Sequence, residues 1–392
     1  MRLTRFPMLF LCFGAFSVWA APYIPRDDAV VLDRLPIKAS DPAGRELRRL
    51  RAELLADPRN VETAIRLARL YFDLASAEGD PRYIGYAEAV LRPWTALPDP
   101  PGEIVLVRAL LRQYRHDFIA AMADLERVLG KDPGNVEAIS WQVALHRVQA
   151  DYTKAREACQ RLAATATPLA TIACNAAIDS INGKSREAHN LLSAALAHYR
   201  AKSIEYQQWV LVRLGEMALR YGDKSLAEKH FKDAIATGYT DGFVLAAYAD
   251  LLLDANRPAE VMALLSNRES SDVLLLRLAL AAHALKSPDA EKHIRALADR
   301  FSAAAMRGDR LHLQEEARFE LTLRKNPARA VKLAAEDWMV QREPRDARFL
   351  MEAALAAGDA AAAQPALAWM DKTGYEDPLY RELASALRKI GQ

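Results

Sequence analysis

The sequence contains little cysteine and little glycine. Only 3 of the 392 residues are cysteine, and one of them, Cys12, lies in the apolar N-terminal stretch. The other two, Cys159 and Cys174, are too few for a fold that depends on a disulfide framework. Glycine is limited to 16 residues, whereas alanine is abundant, and 51% of the chain is hydrophobic. This composition disfavours a sheet protein and favours closely packed helices around a large apolar core.

An excess of charge of one sign is also absent. The chain has 53 Lys+Arg and 51 Asp+Glu, and its first 20 residues hold two arginines and no acidic residue. The remainder is therefore neutral, so we expect no surface that attracts nucleic acid or anionic lipid. Residues 21–392 contain no long apolar run, which predicts no membrane insertion once the N-terminal segment is removed.

The N-terminal segment has the pattern of a secretory signal peptide at residues 1–20. Arg2 and Arg5 form a basic region, and the apolar stretch "FPMLFLCFGAFSVWA" follows them. The small residue Ala20 then stands where cleavage is expected, so we predict cleavage after it. An uncleaved membrane anchor is the main alternative. Cleavage predicts an exported protein that is soluble in the periplasm.

A spacing of 34 residues recurs through the rest of the chain. The stretch "DFIAAMADLERVL" beginning at Asp117 aligns with "DYTKAREACQRLA" beginning at Asp151, and Ala121 then matches Ala155. The most complete copy is "LVRLGEMALRYGDKSLAEKHFKDAIATGY", which carries Gly215 on its first predicted helix. Its second predicted helix carries Ala227, Phe231 and Ala234.

These positions resemble the signature of the tetratricopeptide repeat (TPR) family, whose 34-residue unit is a pair of antiparallel helices. A small residue stands where two helices cross, since a larger side chain would push their axes apart. The aromatic or leucine side chain four residues later fills the groove beside it. The spacing therefore has a cause in helix packing.

The resemblance implies an all-α fold, a right-handed α-solenoid of about nine helix pairs over residues 45–392, preceded by an extended lead-in at 21–44. In the lead-in, "DDAVVLDRLP" resembles the opening of exported bacterial repeat proteins of unassigned role. The first pair departs from the family pattern, because "SAEGDPRYIG" predicts an inter-helix turn several residues too long, and 266–310 also deviates. We expect the pairs to begin near Val61, Gly102, Val136, Leu169, Gln208, Gly242, Ser271, Leu311 and Pro344.

No residue pattern typical of a catalytic or metal site occurs. The segment "NGKSRE" from Asn182 ends like a phosphate-binding loop, but it lacks the upstream glycine and falls at a predicted inter-helix turn. His312 and Glu315 have the spacing of metal ligands on a helix, but no third ligand is near in sequence. We interpret that pair as part of a solvent-exposed helix face. The sequence therefore predicts no enzyme, no cofactor and no resident metal.

Cys159 and Cys174 lie at equal distances from a predicted turn between residues 166 and 167. In an antiparallel helix pair, positions equally distant from the turn lie at the same height. The two thiols can therefore face each other, and an exported protein meets an oxidising compartment. The sequence favours a disulfide, and two buried thiols are the alternative.

The resemblance places the first helix of each pair on the concave side, which is the usual binding surface of such solenoids. Aromatic residues mixed with charges of both signs are typical of surfaces that bind a protein or peptide. The alternative is that Trp209 and Phe243 only pack between neighbouring helix pairs. Arg345 and Arg348 are expected to line the C-terminal end of the concave surface. The residues predicted to bind a partner are Tyr114, Arg147, Trp209, Glu216, Arg220, Phe243, Asp250 and Asp254.

Three functional hypotheses follow from the sequence. The first is a non-enzymatic periplasmic scaffold or adaptor that binds a protein or peptide partner of unknown identity. The second is an envelope-assembly factor, or an enzyme that grips a glycan or peptide, with Glu216, Asp250 and Asp254 as its candidate acids. The third is a metal-handling accessory protein of a membrane transporter.

Overall fold

The computed structural model describes Asp27, Val30 and residues 41–239 and 241–391. The predicted signal peptide, its cleavage site after Ala20 and most of the predicted lead-in at 21–44 lie outside the described residues. The chain divides into two compact units, Met1–Glu46 and Leu47–Gln392. The described residues of the first unit include the start of a helix at Pro42, and the second unit contains the helix pairs.

The described residues form twenty helices and no strand. Helices α2 to α19 form nine consecutive pairs, which begin within four residues of the predicted positions, and α20 packs on α18. The predicted all-α, TPR-like solenoid is therefore confirmed. Of the described helices, none combines the length and apolar character that crossing a bilayer requires. The helices are α1 (Pro42–Ala56), α2 (Val61–Glu78), α3 (Arg82–Thr95), α4 (Gly102–Tyr114), α5 (Phe118–Lys131), α6 (Val136–Val148), α7 (Tyr152–Leu162), α8 (Pro168–Ile181), α9 (Ser185–His198), α10 (Ile204–Arg220), α11 (Lys224–Ala236), α12 (Gly242–Asp254), α13 (Pro258–Leu264), α14 (Asp272–Ala284), α15 (Ala290–Met306), α16 (Leu313–Thr322), α17 (Pro327–Trp338), α18 (Pro344–Ala357), α19 (Gln364–Thr373) and α20 (Pro378–Ile390).

A left-handed residue in the inter-helix turn is the local feature that reverses the chain within a pair. His116 and Ala150, one repeat apart, adopt φ angles of 60° and 58°. The N–H of Asp117 then donates to the carbonyl of Arg112 at 2.9 Å, the hydrogen bond of a Schellman C-cap. The Asp117 carboxylate in turn caps the next helix by accepting from the Ala120 N–H. The left-handed conformation recurs in the corresponding turns at Gly183, Gly222 and Asn256.

Small residues stand at the helix crossings, as the sequence predicts. Ala121, Ala155 and Ala227 are fully buried on the second helices of three pairs. In the α10–α11 pair the ring of Phe231 packs directly on Gly215, so even a methyl group at Gly215 would contact it. The 34-residue spacing therefore reflects how closely the two helices of each pair approach.

Replacing Gly215 by alanine should destabilise the protein. The added Cβ would lie 2.7 Å from Cε1 of Phe231, and overpacking of a buried contact costs about 1–3 kcal/mol. Gly85 in α3 is the matched control, because a Cβ there meets nothing within 4 Å and alanine favours a helix over glycine by about 0.5–1 kcal/mol. Urea unfolding should give a lower midpoint for Gly215→Ala and an equal or higher one for Gly85→Ala. A Gly215→Ala midpoint equal to that of the wild type would contradict the tight crossing.

The first pair differs from the expectation of a long inter-helix turn. Helix α2 continues to Glu78, and only residues 79–81 separate it from α3. Gly79 ends α2 in the left-handed conformation, with φ 65° and its N–H bonded to the Ala75 carbonyl at 2.8 Å. The extra residues lengthen α2 because Gly79 is the first residue of this segment that enters this conformation without steric cost.

The C-terminal helices fold back onto the middle of the second unit. The N–H of Arg342 donates to the Val148 carbonyl at 2.7 Å, and the indole of Trp369 donates to the Tyr152 hydroxyl at 2.9 Å. Ile181 at the end of α8 belongs to the same buried core as the C-terminal helices. Part of the surface formed by the middle helices is therefore covered by the chain itself.

A disulfide joins Cys159 of α7 to Cys174 of α8, with Cα atoms 5.8 Å apart. Both residues are buried. The bond links the second helix of one pair to the first helix of the next, across the turn where the sequence analysis expected the two cysteines to face each other.

The chain without residues 1–20, which include Cys12, should carry no free thiol. Mass spectrometry after alkylation under denaturing conditions should find no label without reductant and two labels with it. Because the bond closes a loop of 15 residues, its reduction should lower the free energy of unfolding by about 3 kcal/mol in the chain-entropy model. Two labelled cysteines in unreduced protein would contradict the pairing.

Candidate ligand-binding site

Two neighbouring cavities adjoin the first helices of the middle pairs. The arginine cavity, of about 440 Å³, lies between α6, α10 and α12 on one side and α18 and α20 on the other. The tryptophan pocket, of about 400 Å³, lies between α6, α8 and α10. We name the first for Arg147, Arg213, Arg220, Arg345 and Arg348. We name the second for Trp141 and Trp209, beside Ala144, Tyr206 and, shared by both cavities, Arg147.

The structure brings together most of the residues predicted to bind a partner. Trp209 lines the tryptophan pocket. Tyr114, at the end of α4, lines neither cavity, and its ring packs edge-on against Phe72 with centroids 6.4 Å apart. Whether any of the eight residues contacts a partner stays a prediction. The other six line the arginine cavity: Arg147, Glu216, Arg220, Phe243, Asp250 and Asp254.

Arg220 has a structural role within the chain. Its guanidinium is buried and donates to the Ser180 hydroxyl at 2.5 Å and to the Tyr375 hydroxyl at 3.4 Å. The side chain therefore ties α10 to α8 and to the segment between α19 and α20. Nothing in the sequence indicates that Tyr375 lies at this site, because only the fold-back of the C-terminal helices brings it close to Arg220.

Two acids proposed for catalysis are held in ion pairs. Asp250 accepts from Arg277 at 2.7 Å and from Arg318 at 2.5 Å. Burial favours the neutral form of Asp250, but the charges and hydrogen bonds of these two arginines lower its pKa well below the usual value. Asp254 accepts two hydrogen bonds from Arg348, both 2.7 Å long. An aspartate held ionised in this way is a poor proton donor, so the position of Asp250 is better suited to binding than to acid catalysis.

Three arginines of the cavity retain donors without acceptors among the described residues. Arg213 has a nitrogen 2.9 Å from the Glu216 carboxylate, but its buried Nε has no hydrogen-bond partner. The Nε of Arg147 is buried and unpartnered as well. Arg345 makes no hydrogen bond or ion pair with any described residue, and its guanidinium lies 5.1 Å from the ring centroid of Phe243. Helical spacing from Trp209 and Glu216 was the signal by which Arg213 could have been found in the sequence.

The tryptophan pocket is mainly apolar and has aromatic walls. The rings of Tyr206 and Trp209 stack with centroids 5.7 Å apart and 15° between their planes. Trp141, on α6, lines the same pocket, and all three rings are only partly buried. Ala144 is a small residue of the lining, and a volume of about 400 Å³ can admit one large apolar side chain.

The expectation that His312 and Glu315 form a solvent-exposed face is wrong. Glu315 is only 8% exposed, with His312 at 3.9 Å and Arg277 at 3.7 Å. Helix α16 packs against both α14 and α18, so the polar face of α16 is covered. Within the described residues, no group of three or more His, Cys, Asp or Glu is arranged to hold a metal ion.

Asp337 and Asp346 form a buried acidic pair behind the arginine cavity. Burial raises the pKa of Asp337, and the negative charges of Asp346 and Glu315 raise it further. Burial, and then the charge of Glu343, also raises the pKa of Asp346. Asp346 nevertheless has donors, since it accepts from the Gln314 amide and, at 2.9 Å, from the Glu343 N–H. Asp337 therefore holds a proton in the folded protein well above the usual carboxyl pKa.

The Asp337→Asn variant should lose part of the pH dependence of folding. Because the pKa of Asp337 is raised in the folded state, the folded chain binds more protons than the unfolded chain above pH ~4, and stability falls as pH rises through that window. Asparagine mimics the protonated acid, so the urea midpoint of the variant should exceed that of the wild type by more at pH 8 than at pH 5. Asp371→Asn, at an exposed ion pair with Arg388, should follow the wild type at both pH values. Equal destabilisation of Asp337→Asn at both would contradict the buried proton.

Comparisons with known proteins agree on the fold. No protein-family model and no curated protein matches this sequence. Among solved structures, the APC/C hetero-tetramer Cut9–Hcn1 matches with 13% identity over 88% of this chain and a TM-score of 0.53. The match covers 66% of that chain, slightly less than two thirds. A tetratricopeptide repeat protein from Parabacteroides merdae matches with 16% identity, 73% of this chain, 98% of its own and a TM-score of 0.27.

At these sequence identities a structural match shows the fold alone. The TM-score of the Parabacteroides merdae protein is too low to support any conclusion. Together with the nine helix pairs, the first match supports a TPR-like α-solenoid for residues of the second unit. The family resemblance seen in the sequence and the helix packing therefore point to the same architecture.

Proposed function

We propose that this protein is an exported scaffold or adaptor that binds a protein or peptide partner through the tryptophan pocket. The observation that carries this proposal is the group of partly buried rings, Trp141, Tyr206 and Trp209, around an apolar cavity of about 400 Å³. Aromatic side chains on a rigid helical frame bury a large area at low entropic cost, and tryptophan and tyrosine are enriched where binding energy concentrates.

The partner segment carries one large apolar side chain that enters the pocket. Ala144, Ala170 and Ala177 form the small-residue part of the wall, which leaves room for that side chain. Arg147 at the edge supplies donors for a carbonyl or carboxylate of the same segment. Cut9–Hcn1, which has a similar fold, is a hetero-tetramer, and this agrees with an assembly role without identifying a partner.

Export is part of the same proposal. It is supported by the basic and apolar pattern of residues 1–20 and by the disulfide between Cys159 and Cys174, because disulfides persist in compartments such as the periplasm. The neutral remainder of the chain supports a protein partner over nucleic acid. The ion pairing of Asp250 and Asp254 favours binding over a glycan- or peptide-cleaving activity.

Trp209→Ala should weaken partner binding. A partner recovered from an envelope extract with the wild-type chain, identified and purified, would be titrated against the variants by calorimetry. Truncating a central aromatic contact costs about 2 kcal/mol or more, which corresponds to roughly a thirtyfold loss of affinity.

Ile119→Ala is the matched control, since it removes an apolar side chain that is 84% exposed on α5 and does not line either cavity. It should bind as tightly as the wild type. Circular dichroism would verify that Trp209→Ala remains helical. Equal affinity of Trp209→Ala and wild type would rule out the tryptophan pocket as the contact site.

A further inference from the structure

The arginine cavity contains buried donors that the chain does not satisfy. Arg213 is 9% exposed, and its Nε, like that of Arg147, has no acceptor among the described residues. Arg345 has neither a hydrogen bond nor an ion pair within the described chain. A buried N–H without an acceptor carries a desolvation cost that a bound acceptor removes. These donors come from three different helices, α6, α10 and α18, and all three side chains line one cavity.

The charges of the other lining residues largely compensate one another. Asp250 is neutralised by Arg277 and Arg318, and Asp254 is paired with Arg348. Lys224 and Glu382, both exposed, carry opposite charges.

Four guanidinium groups then remain against three carboxylates. The guanidinium groups belong to Arg147, Arg213, Arg220 and Arg345, and the carboxylates to Glu216, Glu343 and Asp377. This excess of one exists only because Arg277 and Arg318, which lie outside the lining, neutralise Asp250. The lining itself carries six basic and six acidic side chains. Burial lowers the pKa of Arg213, Glu216 opposes this, and the nearby charges of Arg147 and Arg220 lower the pKa further. An added anion would relieve this repulsion.

We infer that the arginine cavity is a binding site for a small oxyanion, a phosphate or carboxylate group, held by Arg147, Arg213 and Arg345. Arg147 lines both cavities, but Arg213 and Arg345 line only the arginine cavity, so this inference does not depend on the proposed partner. Each guanidinium presents a planar fork of N–H donors, which matches the oxygens of a phosphate or carboxylate in bidentate geometry.

The aromatic residues of the cavity hold these forks in position. Phe243 lies between two of them, with its ring centroid 4.9 Å from the Arg213 guanidinium and 5.1 Å from that of Arg345. The starts of α18 and α20 that line the cavity are already capped by carboxylates of the chain, Asp346 and Asp377. The preference for an anion over a cation or a neutral ligand therefore comes from the arginine donors.

Glu216 adds a preference between the two oxyanions. Its buried Oε2 lies 2.9 Å from Arg213 Nη1 and 3.6 Å from Arg220 Nη2, but it accepts no hydrogen bond in the described chain. A hydrogenphosphate or a singly ionised phosphate ester still carries an O–H that can donate a hydrogen bond to Glu216, whereas a fully ionised carboxylate has no such donor. A volume of about 440 Å³ exceeds a single phosphate and leaves room for a small organic group attached to it.

The test is a calorimetric titration of the full chain with inorganic phosphate and, separately, with malonate. Sodium chloride would keep the ionic strength constant, so that general screening does not imitate binding. We expect saturable binding of phosphate, and weaker binding of malonate. Arg345→Gln should lower the affinity about tenfold or more, because it removes a charged fork whose N–H groups make no hydrogen bond within the described chain. Arg345→Lys keeps the charge and loses the fork. Its affinity for phosphate should lie between that of the wild type and that of Arg345→Gln.

Arg295→Gln is the matched control, because this arginine lies on α15 with its side chain 73% exposed and should leave binding unchanged. If Arg345→Gln lost its helical circular dichroism signal, Arg147→Gln would serve in its place. Saturable binding of either probe supports an oxyanion site. The probe that binds more tightly, phosphate or malonate, identifies its chemistry as phosphate or carboxylate. No saturable binding of either probe, or equal binding by wild type and Arg345→Gln, would overturn the inference.

Discussion

The close approach of two helices at a residue with little or no side chain is the constraint on which the rest of the structure depends. That distance is set in three of the pairs by the buried Ala121, by Ala155, and by Gly215 and Ala227 with Phe231. The left-handed turns reverse the chain at a fixed place in each unit. First helices therefore stand side by side in constant register, so that side chains 34 residues apart face the same space. Trp209 and Phe243, Glu216 and Asp250, and Arg220 and Asp254 are three such pairs.

The C-terminal helices fold back onto the aligned first helices and supply partners for their side chains. They place Arg318 on Asp250 and Arg348 on Asp254, across sequence separations of 68 and 94 residues. Buried ion pairs lose much of their Coulombic gain to desolvation, so they are weak evidence for added stability. Each ion pair, however, can form only when its helix, α16 for Arg318 or α18 for Arg348, lies in one position against α12. We interpret them as contacts that define this placement and leave a cavity of defined shape beside it.

The sequence predicted what depends on one repeat and its neighbour. Helix pairs, the alanine crossings and the facing of Cys159 and Cys174 follow from local periodicity. Contacts between distant pairs do not, because they depend on small packing angles summed over many helices. For that reason the polar face at Glu315 was expected in solvent, and Tyr375 had no sequence signal. The left-handed residue of each turn could not be predicted for another reason. This position is occupied by His116, Ala150 and Asn256 in different repeats, so no single residue type marks it in the sequence.

The two cavities share side chains, and this links their occupants. Arg147 lines both of them. The guanidinium of Arg213 lies 5.7 Å from the ring centroid of Trp209 and 4.9 Å from that of Phe243, so it stands between the tryptophan pocket and the arginine cavity. An oxyanion that orders Arg213 would fix one side of Trp209, and a partner that moves Trp209 would displace Arg213. By thermodynamic linkage, each ligand would then change the affinity of the other by the same factor.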